Sequence, residues 1–242
     1  MISVISPVFN SEICLDELVN RIIKSTKKIT NNFQIVLVDD GSKDNSWNKI
    51  IRLKKKFKFI KGIKLKKNYG QHHAIYVGIK NCSNEIIIVM DCDLQDNPKF
   101  IPSMYKVYKK ENKPVIIQHS YENFNFSSRI ISNIFWIFLT IISFKKFSSY
   151  LGNYILIDDK IKKNYLLIDD IGYLYGDLIS QNNNFEIIKK KRSTSKRNES
   201  TYNYSRLIKF SISLILKYSF LSIFFKRQKK NKIKKNIIEK II

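Results

Sequence analysis

Four short apolar runs, Ile2–Ser6, Gln34–Val38, Ile60–Leu65 and Ile86–Met90, recur through the first ninety residues, and each ends in a polar turn. Runs this short, bounded by turn residues and rich in Ile and Val, read as strands buried on both faces. Between them the apolar residues change period. Leu15, Leu18, Val19, Ile22 and Ile23 recur at helical spacing, and further helices are expected over about Asn45 to Lys56 and His72–Lys80. Strands alternating with short helices predict an α/β fold, a mostly parallel sheet covered by helices on both faces. Such sheets bind ligands beyond the carboxyl ends of their strands. Asp39-Asp40, Asn68–Gly70 and Asp91–Asp93 all fall at such ends, so three polar clusters should converge on one cleft.

The last cluster constrains the chemistry most. Along an extended backbone Asp91 and Asp93 point to one side and Cys92 to the other, where it reads as a small packed residue. Two hard oxygen donors at a strand end can hold Mg²⁺ or Mn²⁺ against a diphosphate, with water completing the shell. An Asp-x-Asp pair alone also describes an ordinary strand end before a polar turn. Its surroundings favour the ligand site.

Those surroundings carry a resemblance. Pro7-Val-Phe-Asn10, Val38-Asp-Asp-Gly-Ser42, Asn68-Tyr-Gly-Gln-His-His-Ala74 and Asp91-Cys-Asp-Leu-Gln-Asp-Asn-Pro98 resemble, in order and spacing, the family 2 inverting glycosyltransferases of GT-A fold. The Asp-Leu-Gln-Asp-x-Pro form is most similar to the polyprenyl-phosphate sugar transferases, the dolichol-phosphate mannose synthase branch. The likeness covers roughly residues 1–110 and resumes at Ser200-Thr-Tyr202 and Arg206-Leu207-Ile208. It implies a nucleotide-sugar donor held by Pro7, Phe9, Asp39, Asp40, Asn68, Gly70 and Asp91, with Asp91 and catalytic Asp93 on the metal. Gln95 would support the metal or the acceptor. Asp40 also reads as a cap for the turn at Gly41, and His72 and His73 read as structural helix-start residues. Gly70 allows close backbone approach at a helix start, where free N–H groups favour a phosphate.

The acceptor implied is a polyprenyl phosphate or a lipid-linked glycan. A phosphate is already ionised, whereas a sugar hydroxyl needs a base. Asp177 is the candidate base, with Asp169 and Asp170 behind it; each also reads as a surface carboxylate. The chain departs from the branch at Gln118-His119-Ser120-Tyr121, where Gly-x-Arg is usual. It departs again at Gly152-Asn153-Tyr154-Ile155, where Gly-x-Phe-Arg is usual, and at Asn198, where Gly is usual. Arg129, Arg192, Arg197 or nearby lysines would then attend phosphate, beside Ser200.

Composition adds a partner class. Lys and Arg number 44 against 20 Asp and Glu, a formal net charge of +24. Such charge suits nucleic acid, acidic lipid head groups or phosphorylated substrates. The basic residues gather near the C-terminus and no nucleic-acid motif is present, so a nucleic-acid-binding protein is the different-class alternative and no nucleic-acid partner is expected. A nucleotidyltransferase would open with a Gly-rich basic loop, which Ser6-Pro-Val-Phe-Asn10 is not. Cys14, Cys82 and Cys92 show no metal spacing and fit a reduced, cytoplasmic setting. No signal peptide and no transmembrane span are expected.

Two later segments point to a membrane surface. Ile130–Phe144 is almost wholly apolar, too short to cross a bilayer and flanked by Arg129, Lys145 and Lys146; it reads as an interfacial or a core helix. Leu207–Phe225 reads as an amphipathic helix with Arg206, Lys209, Ser213 and Lys217 on one polar stripe, followed by the basic run Lys226–Lys235. The alternative there is a terminal helix packed on the sheet. The expected organisation is a catalytic domain over 1–205, divided into a nucleotide-sugar half (1–110) and an acceptor half (111–205), then an amphipathic helix and basic tail (206–242). The expected function is metal-dependent, inverting sugar transfer at the inner face of the cell membrane, peripherally or through a membrane-protein partner. Elongation of a surface polysaccharide on a sugar hydroxyl is the alternative in the same class.

Overall fold

A computed structural model describes residues 1–82, 85–120, 126–145, 147, 151–168, 171–181, 184–191, 204–219 and 237–242. The chain alternates from its start: β1 (Ile2–Val8), α1 (Glu12–Thr26), β2 (Phe33–Asp39), α2 (Ser46–Lys56), β3 (Ile60–Leu65), α3 (Gln71–Lys80) and β4 (Ile86–Val89). A 3-10 turn (Pro98–Phe100) leads into α4 (Ile101–Glu111) and β5 (Val115–Ser120). The second half contains α5 (Phe126–Ser143), β6 (Leu151–Asp158), α6 (Asp159–Leu166), α7 (Leu174–Ser180), β7 (Glu186–Lys191), α8 (Tyr204–Tyr218) and β8 (Ile238–Ile241). One eight-stranded sheet has the order β7-β5-β6-β4-β1-β2-β3-β8, with β6 and β8 running against the other strands. The expected mostly parallel sheet is therefore present.

Strand periodicity divides the core into two layers. Ile2, Val4, Ile35, Leu37, Ile86 and Ile88 face one way and pack under α1, α2 and α4 through Leu15, Ile22, Ile50 and Met104. Their neighbours Ile5, Val36, Val38, Ile87 and Val89 face the other way, against α3, α6 and α7. With period two and apolar residues at nearly every position, neither face of β1, β2 or β4 can be left to water. Burial of each such side chain contributes roughly 1.5–3 kcal/mol.

The edges hold two findings. β8 pairs antiparallel with β3, and Gly62 and Ile242 exchange both backbone hydrogen bonds at 3.0 and 2.9 Å. Residues 237–242 thus lie in the central sheet, and the basic run at 226–235 lies outside the described residues. At the other end α8 packs on α5 and α7, burying Leu214 and Tyr218. Lys217 turns inward with them, which removes it from the outward polar stripe expected for this helix; the outer face carries Lys209, Ile212, Ser213 and Leu216. Among the described residues no helix is long and apolar enough to cross a membrane.

Candidate active site

The carboxyl ends of β1, β2, β3 and β4 are tied together by side chains reaching from one strand-end loop to the next. Asn10, at a positive φ of 47°, receives the Lys43 N–H on Oδ1 at 2.8 Å, and its own N–H donates to Ser42 Oγ at 3.0 Å. This knits the Phe9–Asn10 turn after β1 to the turn after β2. Pro7 itself lies within β1, opposite Val38. Asp40 then reaches across to the third strand end. Its Oδ1 and Oδ2 accept the backbone N–H groups of Tyr69 (2.7 Å) and Gly70 (2.9 Å). Gly41 makes this approach feasible: its φ is +69°, and a Cβ there would lie 2.6 Å from the Asn68 nitrogen. Asp40 is thus a clamp on the Asn68–Gly70 loop, which differs from the alternative reading of it as a cap for the turn at Gly41. Burial raises its pKa to about 6, against the opposing pull of the Tyr69 and Gly70 N–H groups.

Asp39 is fully buried beside it. Oδ1 accepts the Ser42 N–H at 3.3 Å, while Oδ2 has no hydrogen-bond partner among the described residues. Burial pushes this carboxyl up as well, opposed by Ser42 and Lys64. A buried carboxylate oxygen without a donor is costly, and its usual explanation is a ligand, water or ion that supplies one.

From the third strand end the chain of contacts runs to the fourth. Gln71 opens α3 and donates from Nε2 to Asp91 Oδ1. β4 ends at Val89, so Asp91, Cys92 and Asp93 lie in the loop that follows and not on the extended strand end whose alternation was expected to orient them. The outcome for the side chains is nonetheless similar: Asp91 and Asp93 are half-buried, and Cys92 is buried with its thiol on Ser11 Oγ at 3.1 Å. Asp93 Oδ1 accepts the Gln95 N–H at 3.0 Å. Leu94, at φ 68°, sits in the left-handed region that a branched apolar side chain seldom adopts.

Asp96 closes this turn. Its Oδ2 accepts the Asp91 N–H and its Oδ1 meets His119 Nε2, each at 2.8 Å, and both side chains are buried. Asp96, His119 and Gln71 were not among the residues expected at the site. Their positions held the signal, because strand ends and helix starts at the carboxyl edge collect at one mouth. Among the described residues no group of three or more His, Cys, Asp or Glu side chains could hold a metal. The Asp91–Asp93 pair still fits an ion that arrives with a diphosphate: Mg²⁺ keeps most of its water and takes one or two carboxylates plus substrate phosphates.

Asp177 lies elsewhere. It is 1% exposed, so it is no surface carboxylate, and it accepts from Tyr218 Oη (2.7 Å), the Gly172 N–H (2.8 Å) and Lys217 Nζ (2.6 Å). Burial raises its pKa against the pull of Lys217. His72 links this cluster to the mouth, its ring edge-on to Tyr173 with centroids 5.5 Å apart. Burial, then His73 and Lys217, lower its pKa to about 4, so it is neutral near pH 7. Asp169, Asp170, Arg192, Arg197 and Ser200 lie outside the described residues, as does the side chain of Arg129.

Known proteins share parts of this arrangement. The model of the family described as Glycosyl transferase family 2 matches residues 3–167. The undecaprenyl-phosphate 4-deoxy-4-formamido-L-arabinose transferase of Shewanella sediminis (strain HAW-EB3) is 38% identical over 104 residues, which is 43% of this chain and 31% of that protein. The protein of the same name from Proteus mirabilis (strain HI4320) is also 38% identical, over 43% of this chain and 32% of its own. The match therefore spans about a third of the length of these relatives. Among solved structures, glucosyl-3-phosphoglycerate synthase from Mycobacterium tuberculosis, in complex with Mn²⁺, uridine diphosphate and phosphoglyceric acid, superposes with a TM-score of 0.66 at 13% identity. That superposition covers 90% of this chain and 78% of the other. S. aureus TarS 1–349 in complex with UDP-GlcNAc gives 0.57 at 16% identity, over 90% and 67%. At these identities the structural likeness is one of fold.

Proposed function

This chain belongs to glycosyl transferase family 2 and has its GT-A fold, and from that premise we propose that it transfers a sugar, with inversion, from a nucleoside diphosphate to a polyprenyl phosphate or lipid-linked glycan at the inner face of a membrane. The observation that carries the donor half is the buried Asp39 Oδ2, which has no hydrogen-bond partner among the described residues, beside the clamp that Asp40 makes on the Asn68–Gly70 loop. An N–H or O–H of a base or ribose supplies the donor that this oxygen lacks. Asp91 and Asp93 would hold Mg²⁺ or Mn²⁺, whose charge neutralises the departing diphosphate. Gln71 orients Asp91, and the Gln95 N–H orients Asp93. The Mn²⁺ and uridine diphosphate named with the mycobacterial synthase support this reading.

For the acceptor, the relatives' names specify undecaprenyl phosphate, and the setting of Asp177 agrees. A general base must reach the proton it takes. Asp177 is buried and engaged by Lys217, Tyr218 and Gly172, which supports an acceptor that arrives already ionised. Membrane attachment is supported by α5. Ile130, Ile134, Ile137, Phe138 and Ile141 form an exposed apolar stripe at spacings of three and four, with Ile212 and Leu216 exposed on the neighbouring α8.

The test is a panel of UDP-, GDP- and dTDP-sugars with Mn²⁺ and a polyprenyl phosphate, following release of the nucleoside diphosphate. One donor should turn over, only with the metal, and Asp93→Ala should abolish transfer at an unchanged unfolding midpoint. Metal-independent turnover, or full activity in that variant, overturns the metal assignment. A hydroxyl acceptor would make Asp177→Asn lose a factor of about 10² to 10⁴; a phosphate acceptor leaves most of the rate.

A further inference from the structure

We infer that His119 is a positioning residue for the Asp91–Asp93 loop, acting through Asp96 from a strand that does not touch β4. The inference rests on the metal-dependent reading above. β5 is separated from β4 by β6, yet the last turn of its side chains reaches the loop that follows β4. His119 and Asp96 are both buried, and Nε2 lies 2.8 Å from Oδ1. In this pair the carboxylate oxygen serves as acceptor and the ring nitrogen as donor. The second Asp96 oxygen holds the backbone N–H of Asp91 at 2.8 Å. One carboxylate therefore joins the first residue of the loop to a ring anchored two strands away.

The loop needs such an anchor. Leu94 is held at φ 68°, a strained conformation for a branched apolar side chain that persists only where the surroundings impose it. Beyond the closing bond to Asp96, Tyr154 of β6 donates to the Asn97 carbonyl at 3.0 Å. The two strands past β4 thus grip the end of the loop while Gln71 and Gln95 hold its carboxylates. Without the His119 proton, Asp96 would keep a buried oxygen with no donor and would be free to swing, and the Asp91 backbone would move with it. Groups that orient metal ligands in this way change metal affinity by 10- to 100-fold when lost.

Mn²⁺ binding to the full chain, measured by electron paramagnetic resonance in turn with saturating uridine, guanosine and thymidine diphosphate and against each nucleotide without protein, tests this. His119→Asn and His119→Leu should each weaken Mn²⁺ binding about 10- to 100-fold. His119→Gln, whose Nε2 can occupy the place of the imidazole Nε2, should stay within about threefold of the wild type, as in a conserved hydrogen bond. The metal concentration for half-maximal transfer should rise in step, with turnover at saturating Mn²⁺ little changed. Wild-type affinity in a folded Asn or Leu variant overturns the inference, as does an equal loss in the Gln variant. If neither the Asn nor the Leu variant folds, His119 is a stability residue and the inference falls. A wild type that binds no Mn²⁺ overturns the metal reading along with it, which separates that failure from the others.

Discussion

Asp40 and His72 show how opposite burial effects meet at one mouth. The folded Asp40 carboxyl titrates near pH 6, above its ordinary 3.8, so the native state holds a proton that the unfolded chain has released. Its contribution to stability falls as pH rises from about 4 to about 6 and is level above that. His72 behaves oppositely. Its pKa drops from 6.5 to about 4, so the unfolded chain takes up a proton that the native state refuses, and stability falls as pH drops through this window. Each effect is worth about 3 kcal/mol at 1.36 kcal/mol per unit. They nearly cancel between pH 4 and 6. His72→Gln should remove one of them, so that urea midpoints measured at pH 4.5 and 6.5 show the variant more stable at the lower pH, by about 2 kcal/mol relative to the wild-type difference. A parallel pH dependence in variant and wild type would contradict this.

At the scale of elements, α8 is joined to α7 by an ion pair between a buried carboxylate and an ammonium that is 21% exposed. Removing one partner of such a pair leaves the other charge uncompensated, which costs roughly 3–5 kcal/mol when burial is complete. Because Lys217 keeps some contact with water, Lys217→Met should fall near 3 kcal/mol in chemical denaturation. The double variant Lys217→Met, Asp177→Asn should recover most of the loss, since the Asn oxygen can accept the Gly172 N–H while its NH₂ donates to Tyr218 Oη, which in turn donates to the Tyr173 carbonyl. Equal stabilities of the single and double variants would mean that the pair is not what joins α7 and α8. Gly176 belongs to the same contact: a Cβ there would lie 2.6 Å from the Tyr218 ring.

For the whole molecule, the exposed stripe on α5 is the face that no part of the described chain covers. Ile137 and Ile141 are 60% and 65% exposed, so charging them should leave the fold intact. Ile137→Asp with Ile141→Asp should abolish flotation with anionic liposomes. Binding of the unmodified chain should weaken with salt, because exposed charges are screened beyond about 8 Å at physiological ionic strength. Truncation is the poorer experiment. Cutting before residue 237 strips β8 from β3 and removes the buried Ile237, so lost binding could reflect a damaged sheet. Liposome binding unchanged by the two α5 aspartates would move the attachment to α8 or to the basic run.

The alternation of strand and helix, and the clusters at Asp39-Asp40, Asn68–Gly70 and Asp91–Asp93, were legible because both depend on local periodicity. A strand buried on both faces must be apolar throughout, and its polar follow-on must lie at the sheet's edge. What joins those clusters was not legible. Asp40 could cap its own turn or reach Tyr69 and Gly70, and local spacing does not distinguish the two. The side-chain partners of Asp96, Asp177 and Lys217 stand 23 to 41 residues away, and sequence distance carries no information about such pairings. The inward turn of Lys217 and the return of β8 to β3 have the same cause. Charge favours water unless a buried opposite charge awaits it, and an edge strand accepts whichever segment the fold brings alongside. Only the assembled structure says which segment and which charge those are.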